Sequence, residues 1–309
     1  MIVKRILNRL NRVLNNWASN TTWYENVAGF AGCKRILNTN CFDLPIANLG
    51  SSSAVYAFNY DAVGLKGLNL ATPKQSLLAD YEMIRNYFSY LNEGAVVLIP
   101  LCLFSALEGE DAEFPDKYYV LLQSESIPHF SWKKKLQVME LFNNPIDYIP
   151  FFSVPRALLR PLKPRKTTMS SEELDKDAAR WINDWMKEFS IIDFNRSLSL
   201  KNQDSYLSAS DLLKDIMDFC ISRKFKPVVV VPPISNSLAN LYTKQMRELL
   251  ITEFVQKSNK VNVPFLNYID NKFLANDMFF RNAFFLNDKG ANEFTKQLFS
   301  DLRNIGYLS

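Results

Sequence analysis

The clearest pattern along the chain is a series of five short apolar runs, each bounded by Gly, Pro or polar residues. The two strongest, residues 94–100 and 227–233, are continuous and rich in Val or Ile. Continuous runs of this kind are typical of strands that are buried on both faces of a parallel sheet. The predicted strands span residues 45–49, 67–71, 94–100, 227–233 and 261–267.

Longer segments with apolar residues at helical spacing lie between and after these runs. They span residues 76–91, 208–224, 237–258 and 288–305, and the second begins with the cap signal Ser208-Ala209-Ser210-Asp211. Strands that alternate with helices indicate βαβ crossovers. We therefore predict an α/β protein with three layers, in which helices cover both faces of a sheet of about five parallel strands.

Residues from about 103 to 203 interrupt the alternation of strands and helices, because this stretch is too long for a single connection between two elements. We interpret it as a largely helical insertion between the third and fourth strands of a single domain spanning residues 1–309. Ser170-Ser171-Glu172-Glu173 predicts the start of a helix that runs through Trp181 and Trp185. The segment 155–166 holds five cationic residues and no acidic one. It is either a solvated loop or a contact for an anionic glycan, a phosphate or a membrane.

Residues 1–20 are predicted to form an amphipathic helix. Basic and amide residues interrupt the apolar residues of this segment, so it lacks the continuous apolar region of a signal peptide. The helix either docks on its own domain or lies on an anionic membrane surface. Its apolar residues at helical spacing are Ile2, Ile6, Leu10, Val13, Leu14 and Trp17.

Composition narrows the function classes. The chain is 48% hydrophobic, which is enough for a large core without disulfides or structural metals. Its net charge of +4 is too small to indicate nucleic-acid binding. Four cysteines without a C-x-x-C pair indicate reduced thiols, and a single histidine makes a zinc site improbable. We expect no metal, cofactor or nucleic-acid partner. No apolar run approaches the roughly 20 residues of a membrane span, so we expect a cytoplasmic protein, with peripheral attachment to the inner membrane face as the alternative.

The loop after the first predicted strand is the best candidate for chemistry. It reads Gly50-Ser51-Ser52-Ser53, and ligands of open parallel sheets bind beyond the carboxyl ends of the strands. A serine there could act as a nucleophile beside helix N-terminal amides. The alternative is a capped strand-to-helix turn without chemistry.

This loop also carries a family resemblance. Asn48-Leu49-Gly50-Ser51-Ser52 resembles the first block of SGNH/GDSL hydrolases, and Ser52 matches the nucleophilic serine. Residues 67–71 resemble the second block, with Ala71 where many members have an oxyanion glycine. Residues 286–291 resemble the stretch that follows the family's Asp-x-x-His block. The resemblance implies a flavodoxin-like SGNH fold. Within the family, the chain resembles uncharacterised SGNH-like proteins of bacterial capsule and surface-polysaccharide gene clusters.

The departures from the family bear directly on catalysis. Asn282 stands where the aspartate belongs and Phe285 where the histidine belongs, and no Gly-x-Asn-Asp block follows the third strand. A serine needs a general base to become a nucleophile at neutral pH. The one histidine, His129, lies in the insertion, and it is either a relocated base or an ordinary histidine. Three aspartates near the end of the fifth strand, Asp270, Asp277 and Asp288, either supply a carboxylate to the site or are caps and surface charges.

Three functions remain open from the sequence. The first is a degenerate, non-catalytic SGNH relative that binds a glycan or a protein partner, with a role in surface-polysaccharide biosynthesis. The second is an active O-acyl esterase or acyltransferase that acts on an acylated carbohydrate through Ser52 and a relocated base. The third is a peripheral membrane assembly factor. The predicted binding positions are Gly50, Ser51, Ser53, Asn69, Asn282 and Phe285.

Overall fold

The computed structural model describes residues 2–108, 113–150, 168–192 and 198–308, with the backbone alone for residues 2–7. The basic segment 155–166 lies outside the described residues. The chain divides into two compact units: unit 1 is Met1–Thr39 with Ala112–Arg165, and unit 2 is Asn40–Asp111 with Lys166–Ser309. The interpretation as one domain stays a prediction, and the inserted region contributes residues to both units.

Unit 2 contains a sheet of five parallel strands. Its strand order is β2-β1-β3-β4-β5, the order of flavodoxin-like sheets. The predicted fold class is therefore confirmed. The strands are β1 (Leu44–Asn48), β2 (Leu68–Asn69), β3 (Leu91–Pro100), β4 (Lys226–Val231) and β5 (Phe265–Asn267).

The central strands are buried on both faces, which is why their sequences are continuously apolar. Ala47 pairs with Leu68 on one side and with Val97 on the other. Val97 in turn pairs with Pro227, the second residue of β4, which has no backbone N–H to donate. β5 is shorter than the predicted run 261–267, because the side chain of Asn259 binds both backbone groups of Val263 in a turn.

Helices connect the strands and build unit 1. The α-helices are α1 (Ile2–Ala18), α2 (Cys33–Leu37), α3 (Ser52–Ala57), α4 (Leu77–Tyr87), α5 (Asp116–Leu121), α6 (Trp132–Asn143), α7 (Ser171–Glu188), α8 (Leu200–Ser222), α9 (Asn236–Ala239), α10 (Lys244–Arg247), α11 (Phe254–Ser258) and α12 (Asp288–Asn304). Four of these described helices, α5 to α8, lie between β3 and β4, so the predicted helical insertion is present.

Two helix predictions need correction. α8 begins at Leu200 rather than near Ser208, because the side chain of Ser199 caps it by accepting from the Asn202 backbone N–H. Its polar first turns carry no apolar periodicity, and the apparent cap signal at Ser208 falls inside the helix. The predicted helix 237–258 is broken into α9, α10, a π-helical segment (Glu248–Glu253) and α11.

The helices of unit 2 form two layers around the sheet. α3 and the 3₁₀ helix Tyr60–Val63 contact α12 on one face, whereas α4 and α11 contact α8 on the other. Right-handed crossovers produce this separation when the chain goes from β1 to β2 and then reverses direction across the sheet. The reversal between β2 and β3 puts the carboxyl ends of β1 and β3 at the switch point, where open α/β sheets bind ligands.

Unit 1 has its own aromatic core. The rings of Tyr24, Phe30 and Phe142 lie 5.1 to 6.0 Å apart, and the Tyr24 hydroxyl donates to the Phe142 carbonyl at 3.1 Å. α1 joins this unit through contacts with the 3₁₀ helix Pro145–Asp147. In the described part of the chain, no helix combines the length and apolar character needed to cross a bilayer.

The thiols give a test of this packing. Cys33 and Cys220 are buried, and burial raises their pKa to about 12, whereas Cys41 and Cys102 are half-buried and the pKa of Cys102 is raised to about 11. A thiol reagent at pH 8 is expected to modify Cys41 rapidly, Cys102 slowly because the reactive thiolate is scarce, and Cys33 and Cys220 only after unfolding. Cys41→Ser should remove the fast phase, and a second fast thiol would contradict the packing.

The same pKa shifts predict an alkaline limit to stability. A pKa that is higher in the folded state stabilises the fold below the unfolded value, near 9 for a thiol, and this contribution is lost as the pH rises toward 12. The urea midpoint should therefore fall between pH 9 and pH 12.

Candidate functional site

The candidate site is a cleft in unit 2 with a volume of about 510 Å³. It lies where the chain leaves β1 and β3. The serine loop, the segment before α4 and the segment after β3 form one part of its lining, and α7, the start of α8 and the loop before α12 form the other part. Its lining includes Ser51, Ser52, Ser53, Lys74, Gln75, Glu108, Trp181, Trp185, Glu188, Lys201, Asn202, Ser205, Phe284 and Phe285.

Gly50 makes the sharp turn between β1 and the serine loop. Its φ of +107° is disfavoured for any residue with a side chain. A Cβ at this position would also lie 2.8 Å from the Cβ of Ala54 and 3.2 Å from Pro100. The backbone geometry therefore requires glycine at position 50, whether or not the serines that follow are catalytic.

A buried carboxylate fixes this turn. Asp80, in the first turn of α4, is 2% exposed, and its Oδ1 accepts from the Gly50 backbone N–H at 2.7 Å and from the Gln75 amide at 2.6 Å. Gln75 is held in turn by Thr72 and by the Leu70 carbonyl. These contacts connect the serine loop to the segment that follows β2.

Asn69 connects the ends of β1 and β2 below the loop. Its Oδ1 accepts from the Asn48 amide at 3.1 Å and from the Ala71 backbone N–H at 3.0 Å. Asn48 also accepts from the Tyr60 hydroxyl at 2.8 Å. The family resemblance would make the Ala71 N–H an oxyanion donor, but this N–H donates to the Asn69 side chain instead. The Asn69 side chain thus links the ends of β1 and β2.

The three serines have different roles. Ser51 is the N-cap residue of α3, and its hydroxyl accepts from the Gln75 backbone N–H at 3.2 Å. Ser52 and Ser53 begin α3 and line the cleft. Within the described residues, no protein group hydrogen-bonds the hydroxyl of Ser52 or of Ser53. Ser52 therefore lines the cleft with no base hydrogen-bonded to it in the part of the chain that the structure describes, and a serine nucleophile requires such a base.

The loop before α12 has an amide and an aromatic ring at the two positions where the sequence resemblance would place an acid and a base. Asn282 accepts from the backbone N–H groups of Phe284 at 3.0 Å and Phe285 at 2.6 Å, which makes it a local turn residue. The Phe285 ring lies 5.3 Å from Tyr56 of α3 and 5.5 Å from Trp181 of α7. Phe285 shares the cleft with Ser52 but can transfer no proton.

Capping and packing account for the residues that follow this loop. Asn287 caps α12 by accepting from the Gly290 backbone N–H at 3.0 Å. A Cβ at Gly290 would lie 2.2 Å from the Phe279 carbonyl oxygen, so only glycine fits. The segment 286–291 that resembles the family is therefore a close helix-to-loop contact.

α7 supplies the aromatic wall of the cleft. It begins with the predicted capping box of Ser170 and Glu173, and Trp181 stacks near Trp185, with ring centroids 5.1 Å apart. The Trp185 ring is also 5.0 Å from Phe284. The sequence predicted the helix but gave no signal that these rings belong to the site, because the contact depends on the tertiary position of the insertion.

Asp177 attaches α7 to the loop before α12. Its Oδ2 accepts from the Trp181 indole N–H at 3.1 Å and from the Ala283 backbone N–H at 3.0 Å. Its Oδ1 accepts from the Arg180 guanidinium at 2.8 Å, which stacks on the Trp181 ring. This residue was missed from the sequence, where it reads as a surface charge on a helix.

The titratable candidates are divided between the two units, and the three predicted aspartates of unit 2 are outside the lining of the cleft. His129, the one histidine, belongs to unit 1, is exposed and has a φ of +51°, so unit 2 contains no histidine. Asp270 pairs with Arg247, and Asp288 is exposed at the start of α12. Asp277 precedes the loop, and none of these three aspartates lines the described cleft. The carboxylates that do line it are Glu108 and Glu188.

A second, much smaller cavity lies behind Ser53. Its volume of about 10 Å³ is close to the lower limit for one water molecule. Cys102 and Tyr242 line it, and burial raises the pKa of the Tyr242 phenol. Over the described residues, no three or more His, Cys, Asp or Glu side chains are grouped as metal ligands would be.

In comparisons with known proteins, no family model matches this chain, and no curated protein matches it significantly. The chemistry of the cleft therefore rests on its own residues.

Asp177→Ala is expected to lower the free energy of unfolding by about 2–4 kcal/mol, because it leaves the partners of a nearly buried carboxylate unpaired. Urea denaturation measures the loss, and Trp fluorescence should change with it. Asp184→Ala is the matched control on the same helix. Asp184 is 52% exposed against 11% for Asp177, and it binds only Arg180, so its loss should stay below about 1 kcal/mol. Equal losses in the two variants would contradict the role of Asp177.

Proposed function

We propose that this chain is a degenerate, non-catalytic relative of the SGNH hydrolases that binds a glycan or acylated carbohydrate in the cleft beside Ser52. The observation that carries the proposal is the aromatic wall of Trp181 and Phe285 facing a serine loop in a unit without histidine. Surface-polysaccharide biosynthesis is the setting that the sequence resemblance implies, and it belongs to the same proposal.

The lining of the cleft supports a carbohydrate ligand. Sugar rings present apolar C–H faces and a rim of hydroxyl groups, so their sites need flat aromatic surfaces beside polar side chains. Trp181 and Phe285 are both half-buried, which leaves ring surface available in the cleft. Asn202, Glu188 and Lys201 lie in the same lining and supply donors and acceptors for hydroxyl groups.

The second candidate is an active O-acyl esterase or acyltransferase with Ser52 as the nucleophile. It is favoured by one observation: the Ser52 hydroxyl lines the cleft and has no hydrogen-bond partner among the described residues. Glu108 or Glu188 would then have to serve as the relocated base. We rank this second, because neither carboxylate hydrogen-bonds Ser52. Peripheral membrane attachment stays a separate proposal that concerns unit 1.

A printed array of neutral, acidic and O-acetylated oligosaccharides tests the proposed function with the full chain. The wild-type protein should bind a defined subset, and Trp181→Ala should weaken that binding about tenfold or more, since truncating a central Trp removes its contact surface. Trp181→Phe should retain part of it, because an aromatic face remains.

Trp132→Ala is the matched control, since Trp132 is 70% exposed on α6 in unit 1 and does not line the cleft. This variant should bind the array as the wild type does. The absence of any glycan binding by the wild type, or equal binding by Trp181→Ala, would reject the proposal.

A further inference from the structure

The two units differ in charge. By sequence, unit 1 contains 14 Lys and Arg residues against six Asp and Glu residues, whereas unit 2 contains 22 against 26. The small net charge of the whole chain hides this difference. A unit with such an excess of positive charge attracts anionic surfaces at physiological ionic strength.

Within unit 1, α1 presents an apolar stripe to solvent. Leu10, Val13 and Leu14 are 53%, 59% and 43% exposed. They are three and four residues apart, so they share one side of the helix. The sequence extends the same spacing to Ile2 and Ile6, and the helix contains four cationic residues and no acidic residue.

The polar side of α1 is the side that docks on unit 1. The Asn15 side chain accepts from the Ile146 backbone N–H at 3.1 Å, and the Ser19 hydroxyl accepts from Lys34. At 100° per residue, Asn15 and Ser19 lie about 140° and 180° around the helix axis from Leu10. An amphipathic helix that packs only for stability would bury its apolar side, so this orientation is inverted.

We propose that α1 is a membrane-surface helix that binds an anionic phospholipid bilayer. Leu10, Val13 and Leu14 enter the boundary between headgroups and acyl chains, and the exposed side chain of Arg9, which lies about 100° around the helix axis from Leu10, contacts the phosphates. Charge complementarity selects this occupant over a neutral apolar groove on another protein. The inverted docking keeps the stripe free while Asn15 fixes the helix to its unit.

Flotation of the full chain with vesicles tests the proposal. We expect binding to vesicles of equal parts phosphatidylcholine and phosphatidylglycerol, little binding to phosphatidylcholine alone, and release by high salt. The triple variant L10Q/V13Q/L14Q should bind the anionic vesicles at least about tenfold more weakly, because it removes the apolar contribution. R9E/R12E should also lose binding, because its charges oppose those of the lipid.

The matched control is I192Q/I221Q/V261Q, which makes the same change at three positions of unit 2 that are 83%, 44% and 45% exposed. It should bind vesicles as the wild type does. All variants should unfold at the wild-type temperature, because every changed residue is exposed, and this comparison separates lost binding from lost folding.

Unchanged flotation of L10Q/V13Q/L14Q would overturn the proposal, and so would equal binding of the wild type to neutral vesicles. Failure of the wild type to float would also overturn it. If the wild type then self-associated in solution and the triple variant did not, the stripe would be a contact between copies of this chain.

Discussion

The hydrogen bond from the Gly50 backbone N–H to the buried carboxylate of Asp80 holds the candidate site together. Gly50 needs a positive φ to turn the chain away from β1, and that turn leaves its N–H facing the interior. A buried donor without a partner costs about 1–3 kcal/mol. Asp80 supplies the partner from the first turn of α4, where the helix dipole favours a negative charge.

The shape of the serine loop can be explained by structural contacts alone, without any catalytic role for its serines. Gly50, Ser51, Asn69 and Gly290 each have a structural task, whether as a turn, a cap, a strand connection or a close contact. The fold needs these residues whether or not Ser52 is catalytic. Ser52 is different, since no described contact requires its hydroxyl. Where the resemblance expects an imidazole, the Phe285 ring instead packs on Tyr56 and Trp181 and adds to a binding surface.

The sequence was most informative where burial dictates residue type. The Val-rich runs of β3 and β4 could be recognised because strands buried on both faces are continuously apolar. The start of α8 could not, because its first turns are polar and are fixed by the Ser199 cap. The departures from the SGNH motif at Asn282 and Phe285 could be read directly from the sequence, whereas the turn that Asn282 forms could not. The contributions of Asp177 and Trp181 could not, since they depend on where α7 packs against the loop before α12.

We propose that Ser52 occupies a nucleophile's position without a nucleophile's reactivity. Labelling of the purified full chain with a fluorophosphonate probe, followed by peptide mapping, tests this proposal, with Ser52→Ala and Ser53→Ala as paired controls. We expect no modification of Ser52 under conditions that label a competent serine esterase. Stoichiometric modification of Ser52 that is abolished in Ser52→Ala and retained in Ser53→Ala would contradict it.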